Sequence, residues 1–187
     1  MVKVRVAALL LAAGLVVLPA LAQDAKKTEA PKPALGASQS VLESWNDIGR
    51  KLIAMAEDMP EDKYDFKPKP EMRSWVGALL HVASSTYYFT NPVLGKPLPA
   101  DDPPRDQFKS KADVVAFVKK AVEDGATVIK AQGDAGLSKA VFAGGPRLTR
   151  VDGLAYGVME HSGEHYGQLV VYYRLNGLVP PESRPKK

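Results

Sequence analysis

Hydrophobic residues recur along much of the chain at alternating steps of four and three, the spacing that places side chains on one face of an α-helix. The first such stretch begins near Ser40 and ends near Met59. The second follows Ser74, a residue type that commonly caps helices, and ends near Asn91. The pattern predicts two amphipathic helices, with apolar positions at Val41, Trp45, Ile48, Leu52 and Met55, and at Trp75, Leu79, Val82, Thr86 and Phe89.

Two more helices are predicted in the second half of the chain. The third follows Ser110 as its cap and stops at Gly133, and the fourth runs from about Val151 to Asn176. The segment between the second and third helices is rich in proline, which favours a long crossing over a tight turn. Its prolines are Pro92, Pro97, Pro99, Pro103 and Pro104.

Four amphipathic helices without a convincing alternating strand predict an all-α fold. The simplest arrangement that buries their apolar faces is an antiparallel four-helix bundle with long connections after the second and third helices. Because connections of this length often carry function, we expect functional surface there.

The amino-terminal segment has the pattern of a secretory signal peptide. Residues 1–22 carry Lys3 and Arg5 near their start, continue through an uncharged apolar run, and end in the small-residue pattern Ala20-Leu21-Ala22. A membrane anchor is the alternative, but the run is short for a bilayer and Pro19 interrupts it. We therefore expect an exported protein, periplasmic or secreted, that starts at Gln23. Residues 23–38 would form a flexible linker and residues 39–184 the bundle domain.

Composition narrows the chemistry that the chain can perform. The sequence contains no cysteine, which excludes disulfides, thiolate metal ligands and cysteine nucleophiles. Lysine and arginine number 25 against 21 acidic residues, and two of the basic residues lie in the predicted signal peptide. The small remaining excess is spread along the chain, so the charge gives no reason to expect nucleic-acid binding.

The three histidines of the chain are the strongest candidates for a functional site. His161 and His165 are four residues apart in the fourth helix and therefore share a face. That face continues the apolar stripe, which directs both imidazoles inward. His81 lies in the second helix beside small residues that would leave a hollow. The stripe comprises Leu154, Val158, His161, His165, Gln168 and Tyr172, and the small residues are Gly77, Ala78, Ser84 and Ser85.

Inward imidazoles beside a hollow predict a pocket that holds a divalent transition metal. We favour this interpretation over hydrogen-bonded core histidines because all three histidines take part. Three imidazole ligands with open positions suit Zn, Ni or Fe, whereas Mg and Ca prefer oxygen. The metal ligands would be His81, His161 and His165.

Two further residues are candidates for acid–base roles. Residues 161–165 read His-Ser-Gly-Glu-His, which fits the H-x-x-E-H pattern of inverted zinc peptidases with Glu164 as general base. Those enzymes need another ligand well downstream, and only 22 residues follow His165, so a solvated carboxylate at the rim is the alternative for Glu164. Tyr166 is the second candidate catalytic residue, with packing at the edge of the bundle as its alternative.

The segments RSWVGALLHVASSTYYF and EHSGEHYGQLVVYYRLNGLVPPESR together resemble the DinB superfamily of four-helix-bundle proteins. That family has one histidine in its second helix and an H-x3-H pair in its fourth, followed by Gly-Gln. The resemblance covers about residues 38–184 and implies that His81, His161 and His165 are metal ligands. Relatives include S-transferases that use bacillithiol or mycothiol and thiol-dependent maleylpyruvate isomerases.

The expected function is that of an exported metal-dependent enzyme acting on a small molecule, of the hydrolase or thiol-dependent transferase type, with its metal at one end of the bundle. A module that binds metal or a ligand without turnover is the alternative, and a purely structural bundle is a third. Expected partners are a small-molecule substrate and a second copy of the chain. No nucleic acid is expected, and no membrane once the signal is cleaved.

Overall fold

The computed structural model describes residues 33–99 and 102–185. The described residues form five α-helices and one pair of short strands. The expected signal peptide and most of the expected linker lie outside the described residues. The helices are α1 (Ala37–Asp58), α2 (Trp75–Ser84), α3 (Thr86–Val93), α4 (Lys111–Leu137) and α5 (Val151–Leu175), and the strands are β1 (Ala140–Val141) and β2 (Thr149–Arg150). None of the described helices has the length and apolarity that a membrane span requires.

The prediction of an all-α four-helix bundle is confirmed, with α2 and α3 together forming its second arm. The prediction of one unbroken second helix is wrong, because the helix is interrupted at Ser85. There the hydroxyls of Ser84 and Ser85 donate to the carbonyl oxygens of His81 and Val82, at 2.9 and 2.6 Å. Hydroxyls that bond back to the preceding turn compete with backbone N–H donors and loosen a helix locally.

The first helix begins three residues before the expected Ser40. Its N-cap position, Gly36, offers no side chain to satisfy the free N–H groups of the first turn. Asp134 of α4 supplies the missing acceptor, because its Oδ1 accepts hydrogen bonds from the backbone N–H and the hydroxyl of Ser38 at 2.7 and 2.5 Å. The position of this helix start therefore depends on a residue far away in the sequence.

The third predicted helix corresponds to α4, and Ser110 caps it as expected. Ser110 and Asp113 form a reciprocal capping box. The expected stop at Gly133 corresponds to a break in α4, because the backbone at that glycine is not helical, with φ at 56° and ψ at −173°. Beyond this kink the helix resumes and ends at Leu137. A side chain would strain this backbone conformation, so glycine allows the kink.

The strand pair was not predicted. β1 and β2 pair antiparallel, with Ala140 opposite Arg150 and Val141 opposite Thr149. Strands of two residues are too short to show the alternation from which strands are recognised. The pair closes the connection between α4 and α5.

The direction of the helices explains the length of the proline-rich crossing. Lys111 at the start of α4 donates to the carbonyl oxygen of Met59, just after α1. The adjacent residues Tyr172 and Tyr173 donate to the carbonyl oxygens of Arg73 and Met55. Thus α2 and α4 both begin at the end of the bundle where α1 ends, and they run parallel. The connection after α3 must therefore return along the length of the bundle to reach the start of α4. The pairs α1 with α4 and α2 with α5 are antiparallel.

The interior contains two groups of buried apolar side chains. One surrounds Trp75 and Tyr173 near the end where α2 and α4 begin, and the other surrounds Trp45 and Phe89. In α5, Val158 belongs to the second group and Leu169 to the first. The residues between them in α5 therefore lie between the two apolar groups, and His161 and His165 are among these residues.

Candidate metal centre

The three histidines of the sequence come together between α2 and α5. One ring nitrogen from each of His81, His161 and His165 lies within 4.8 Å of the others. The ring centroids are 4.4 Å apart for the pair within α5, and His81 lies 4.8 Å from His165 and 5.1 Å from His161. His165 is buried, and the other two histidines are partly exposed. The cluster is therefore reachable from solvent.

The local structure explains why these side chains converge. The one-turn separation of His161 and His165 puts both rings on the same side of α5, as the sequence predicted. On the facing helix, the Ser74 hydroxyl accepts a hydrogen bond from the Gly77 N–H at 3.1 Å and so caps α2. Tyr172 bonds the carbonyl oxygen of Arg73 just before that helix and ties α2 to α5.

A carboxylate from the proline-rich crossing holds His81. Asp102 Oδ1 lies 2.6 Å from His81 Nδ1, and its other oxygen accepts from the Arg73 guanidinium at 3.2 Å. Since a carboxylate can only accept, Nδ1 of His81 carries the proton. In a neutral His81 ring the lone pair is then on Nε2.

Gln168 orients His165 in the same way, through a hydrogen bond at Nδ1. Its Oε1 accepts a hydrogen bond from His165 Nδ1 at 2.9 Å, which again leaves the lone pair on Nε2. Among the residues that the structure describes, His161 has no side-chain hydrogen-bond partner. Gln168 itself is exposed, although its place in the stripe predicted an inward position. It reaches the site from the rim.

Burial and the neighbouring imidazoles disfavour a positive charge on the two histidines of α5. Burial lowers the pKa of His161, and the neighbouring His81 lowers it further. Burial also lowers the pKa of His165, together with the two other imidazoles, against an opposing hydrogen bond from Gln168. Burial alone would raise the pKa of Asp102, but hydrogen bonds from His81 and Arg73 hold it below its usual value. The site thus combines two imidazoles of lowered pKa, those of His161 and His165, with the ionised carboxylate of Asp102.

An open groove of about 400 Å³ leads away from the histidines along the amino-terminal half of α5. We refer to it as the histidine groove. One wall is formed by α2, α3 and the residue between them, and the other by α5, with Asp102 contributing from the crossing. Its lining is His81, Ser85, Tyr88 and Asp102 on one side and Gly153, Leu154, Gly157, Val158 and His161 on the other.

The two candidate acid–base residues have different positions. Glu164 is exposed on α5, and its charge acts on the neighbouring His161. Tyr166 packs against the core, and burial raises its pKa. The charged groups that influence its hydroxyl are Glu182, Lys51, Arg50 and Asp47. Tyr166 therefore faces α1 and the carboxy-terminal segment, while Glu164 lies at the rim of the site.

Sequence reasoning missed several residues of the site. Asp102, Arg73 and Tyr88 carry no local pattern that marks them. For Asp102 the signal was the length of the crossing, which raised the expectation of functional surface, whereas Arg73 and Tyr88 lie in the segment before and within the second helix that carries the family resemblance. The expected position at one end of the bundle is also wrong, because the histidines lie midway along α5 and open through its side.

Comparisons with known proteins identify the family and agree with the fold. The family profile of the DinB superfamily matches residues 45–169, which include all three histidines. A DinB-like protein from Bacillus subtilis is 19% identical, with a TM-score of 0.60 over 79% of this chain and 99% of its own. A DinB-like protein from Bacillus cereus is 16% identical, with a TM-score of 0.64 over 76% of this chain and 95% of its own. No curated protein matches the sequence.

Proposed function

Because this chain belongs to the DinB superfamily and its three histidines converge beside an open groove, we propose that it is a metal-dependent enzyme acting on a small molecule. The metal would be one divalent transition-metal ion, such as Zn, Ni or Fe, held by His81, His161 and His165. The reaction would be of the hydrolase or thiol-dependent transferase type. The single observation that carries the proposal is the meeting of three imidazoles from two helices at one partly exposed point.

The residues present fit such an ion. Metals with a preference for nitrogen bind the unprotonated nitrogen of imidazole at about 2.0–2.1 Å, so nitrogens within 4.8 Å of one another need only small side-chain rotations to share one ion. The proton positions on His81 and His165 leave Nε2 free in both. A carboxylate or amide on the opposite ring nitrogen is the usual support for a metal-binding histidine.

A divalent ion in this place supplies Lewis-acid chemistry toward an oxygen atom of a small molecule. Around it, Asp102 and Gln168 orient two of the imidazoles, and Arg73 compensates the charge of Asp102. The groove gives a small molecule access to the histidines. Glu164 is the proposed acid–base group, since its carboxylate lies at the rim near His161.

Metal content tests the proposal directly. We expect one transition-metal ion per chain in dialysed protein, and its loss in the His161→Ala and His165→Ala variants, because each removes one of three ligands. Plasma emission spectroscopy measures the content. Tyr166→Phe is the matched control on the same helix, because its hydroxyl faces α1, and it should keep the metal. Equal metal content in all four proteins would contradict the proposed site.

A module that binds metal or a ligand without turnover is the second candidate. The position of Tyr166 favours it, since only Glu164 of the two candidate acid–base residues lies near the histidines. Glu164→Gln separates the two functions. In an enzyme this variant should keep its metal and lose activity toward the substrate, whereas in a binding module it should bind metal and ligand as the wild type does.

We also propose that the protein is exported and that its mature form begins at Gln23. The support is the basic start, apolar run and Ala-Leu-Ala ending of residues 1–22. Mass spectrometry of periplasmic or secreted material should find Gln23 as the first residue. An intact first segment in that material would contradict cleavage.

A further inference from the structure

We infer that the histidine groove binds an elongated, uncharged small molecule whose oxygen-containing head reaches the histidines and whose aromatic or alkyl tail lies along α5. The inference rests on the proposed function, because the head would bind the proposed metal. It adds the chemical class of the ligand and identifies Gly153, Gly157 and Tyr88 as the residues that select the tail.

The groove is continuous with the histidine cluster. His81 and His161 line it, so a molecule held at the histidines has one open direction in which to extend. Gly153 lies two helical turns before His161, and eight residues of helix correspond to about 12 Å. The groove therefore accommodates a tail of several bonds beyond a head group of a few atoms.

The lining of the groove suits an apolar tail. Tyr88 is 44% exposed and presents its ring on one wall, and Leu154 and Val158 contribute apolar side chains on the other. Among the lining residues that the structure describes, the one with a formal charge is Asp102, whose carboxylate is already occupied by His81 and Arg73. An ionised tail would find no opposite charge along this lining, whereas an apolar tail would remove apolar surface from water.

Glycines keep the groove open on the α5 side. A Cβ atom built on Gly157 meets no atom within 4 Å, so a side chain there would project into free space of the groove. The same is true of Gly163 on the same helix, which is exposed and does not line the groove. A bulky residue at position 157 should fill the space for the tail without a clash, and the same residue at 163 is the matched control.

The test uses full-length protein loaded with Zn²⁺ and two hydroxamic acids with the same oxygen-containing head. Isothermal titration calorimetry compares acetohydroxamate with octanohydroxamate on the wild type and on the Gly157→Leu and Gly163→Leu variants. We expect the longer tail to improve affinity by at least about tenfold in the wild type and in Gly163→Leu, since each buried methylene contributes about three- to fourfold. Gly157→Leu should lose this preference for the longer tail.

Tyr88→Ala provides a second variant in case the leucine disturbs α5. It removes the opposite wall at an exposed position and should also reduce the preference for the longer tail. Equal affinity for the two hydroxamates in the wild type would overturn the inference. So would a preference that Gly157→Leu and Gly163→Leu both retain, or a groove closed by a second copy of the chain, detected as a dimer that Gly157→Leu dissociates.

Zinc content measured in the same samples separates this inference from the proposed function. Protein that takes up no Zn²⁺ contradicts the proposed function, and the inference falls with it. Protein that takes up Zn²⁺ and binds acetohydroxamate, yet gains nothing from the longer tail, leaves the metal site standing and refutes the groove inference alone.

Discussion

At the scale of single residues, the site depends on groups that orient the histidines as much as on the histidines themselves. An imidazole can present either ring nitrogen, and the partner of one nitrogen decides which is left for a ligand. Asp102 accepts from Nδ1 of His81, and Gln168 accepts from Nδ1 of His165, so the proton of each ring is on Nδ1. The cluster is therefore prepared for a ligand on the Nε2 side of two of its rings.

Asp102→Ala should weaken Zn²⁺ binding by about 10- to 100-fold, the usual effect of removing a group that orients a metal-binding histidine. Competition with a chromophoric chelator measures the dissociation constant. Asp106→Ala is the control, because Asp106 is an exposed carboxylate four residues further along the same segment. Thermal unfolding of the metal-free variants should be nearly unchanged, since Asp102 is exposed. Equal affinity in the two variants would show that Asp102 does not position His81.

At the scale of helices and their connections, several boundaries are set by contacts between elements. The start of α1 depends on Asp134 of α4, and the kink in α4 depends on the conformation of Gly133. The carboxy-terminal segment is fastened to α1 by two ion pairs, in which Arg50 bonds Glu182 and Arg184 bonds Asp58. The contribution of each of these contacts to stability can be tested separately by substitution.

Gly133→Ala should lower the free energy of unfolding by about 1–3 kcal/mol, because a residue with a Cβ is strained at a φ of 56° with extended ψ. Gly163→Ala is the matched control in α5. It has space for a methyl group and should raise stability by up to about 1 kcal/mol, through the higher helix propensity of alanine. Urea denaturation monitored by circular dichroism measures both. Equal effects of the same sign would contradict the role assigned to the kink.

The Asp58–Arg184 pair should make stability depend on pH in the acid range. Hydrogen bonds from Arg184 lower the pKa of Asp58, against an opposing effect of burial. The unfolded chain therefore binds the proton more readily, and the contribution is complete above about pH 4 and is lost as the pH falls through the lower pKa of the folded state.

Asp58→Asn should reduce the free energy of unfolding at pH 7 by at most about 1 kcal/mol, because the pair is partly exposed. The difference from the wild type should shrink as the pH falls below about 4. Chemical denaturation at a series of pH values measures it, with Asp62→Asn, an exposed carboxylate just beyond α1, as the control. A difference that stays constant down to pH 2 would exclude an ionic contribution.

At the scale of the whole molecule, the direction of the helices determines what surrounds the site. Since α3 and α4 run parallel, the crossing between them travels back along the bundle. On this path Asp102 meets His81 and Arg73, and Arg105 meets Asp65 at 3.2 Å. The connection therefore links the helices and also contributes Asp102 to one wall of the groove.

Metal binding should stabilise the whole bundle. A ligand that binds only the folded state contributes about 4 kcal/mol at a thousandfold excess over its dissociation constant, which raises the melting temperature of a domain of this size by several degrees. Differential scanning calorimetry of chelator-treated and Zn²⁺-loaded protein at pH 7 measures the shift. His161→Ala should show little or none. Superimposable curves for the two wild-type samples would mean that the folded protein holds no metal at the histidines.

Much of the fold and the core of the site follow from local pattern. The helices can be predicted because the helical period places apolar residues on one face independently of the rest of the chain. The same period places His161 and His165 on one face. His81 could be assigned to the same site because its neighbours are small and its helix is apolar. The groove, the cap on α1 and the Asp102 carboxylate that bonds His81 cannot be predicted in this way. They join residues such as Ser38 with Asp134, or His81 with Asp102, whose meeting depends on how the helices pack and on which way the crossing runs, and no short-range spacing encodes that.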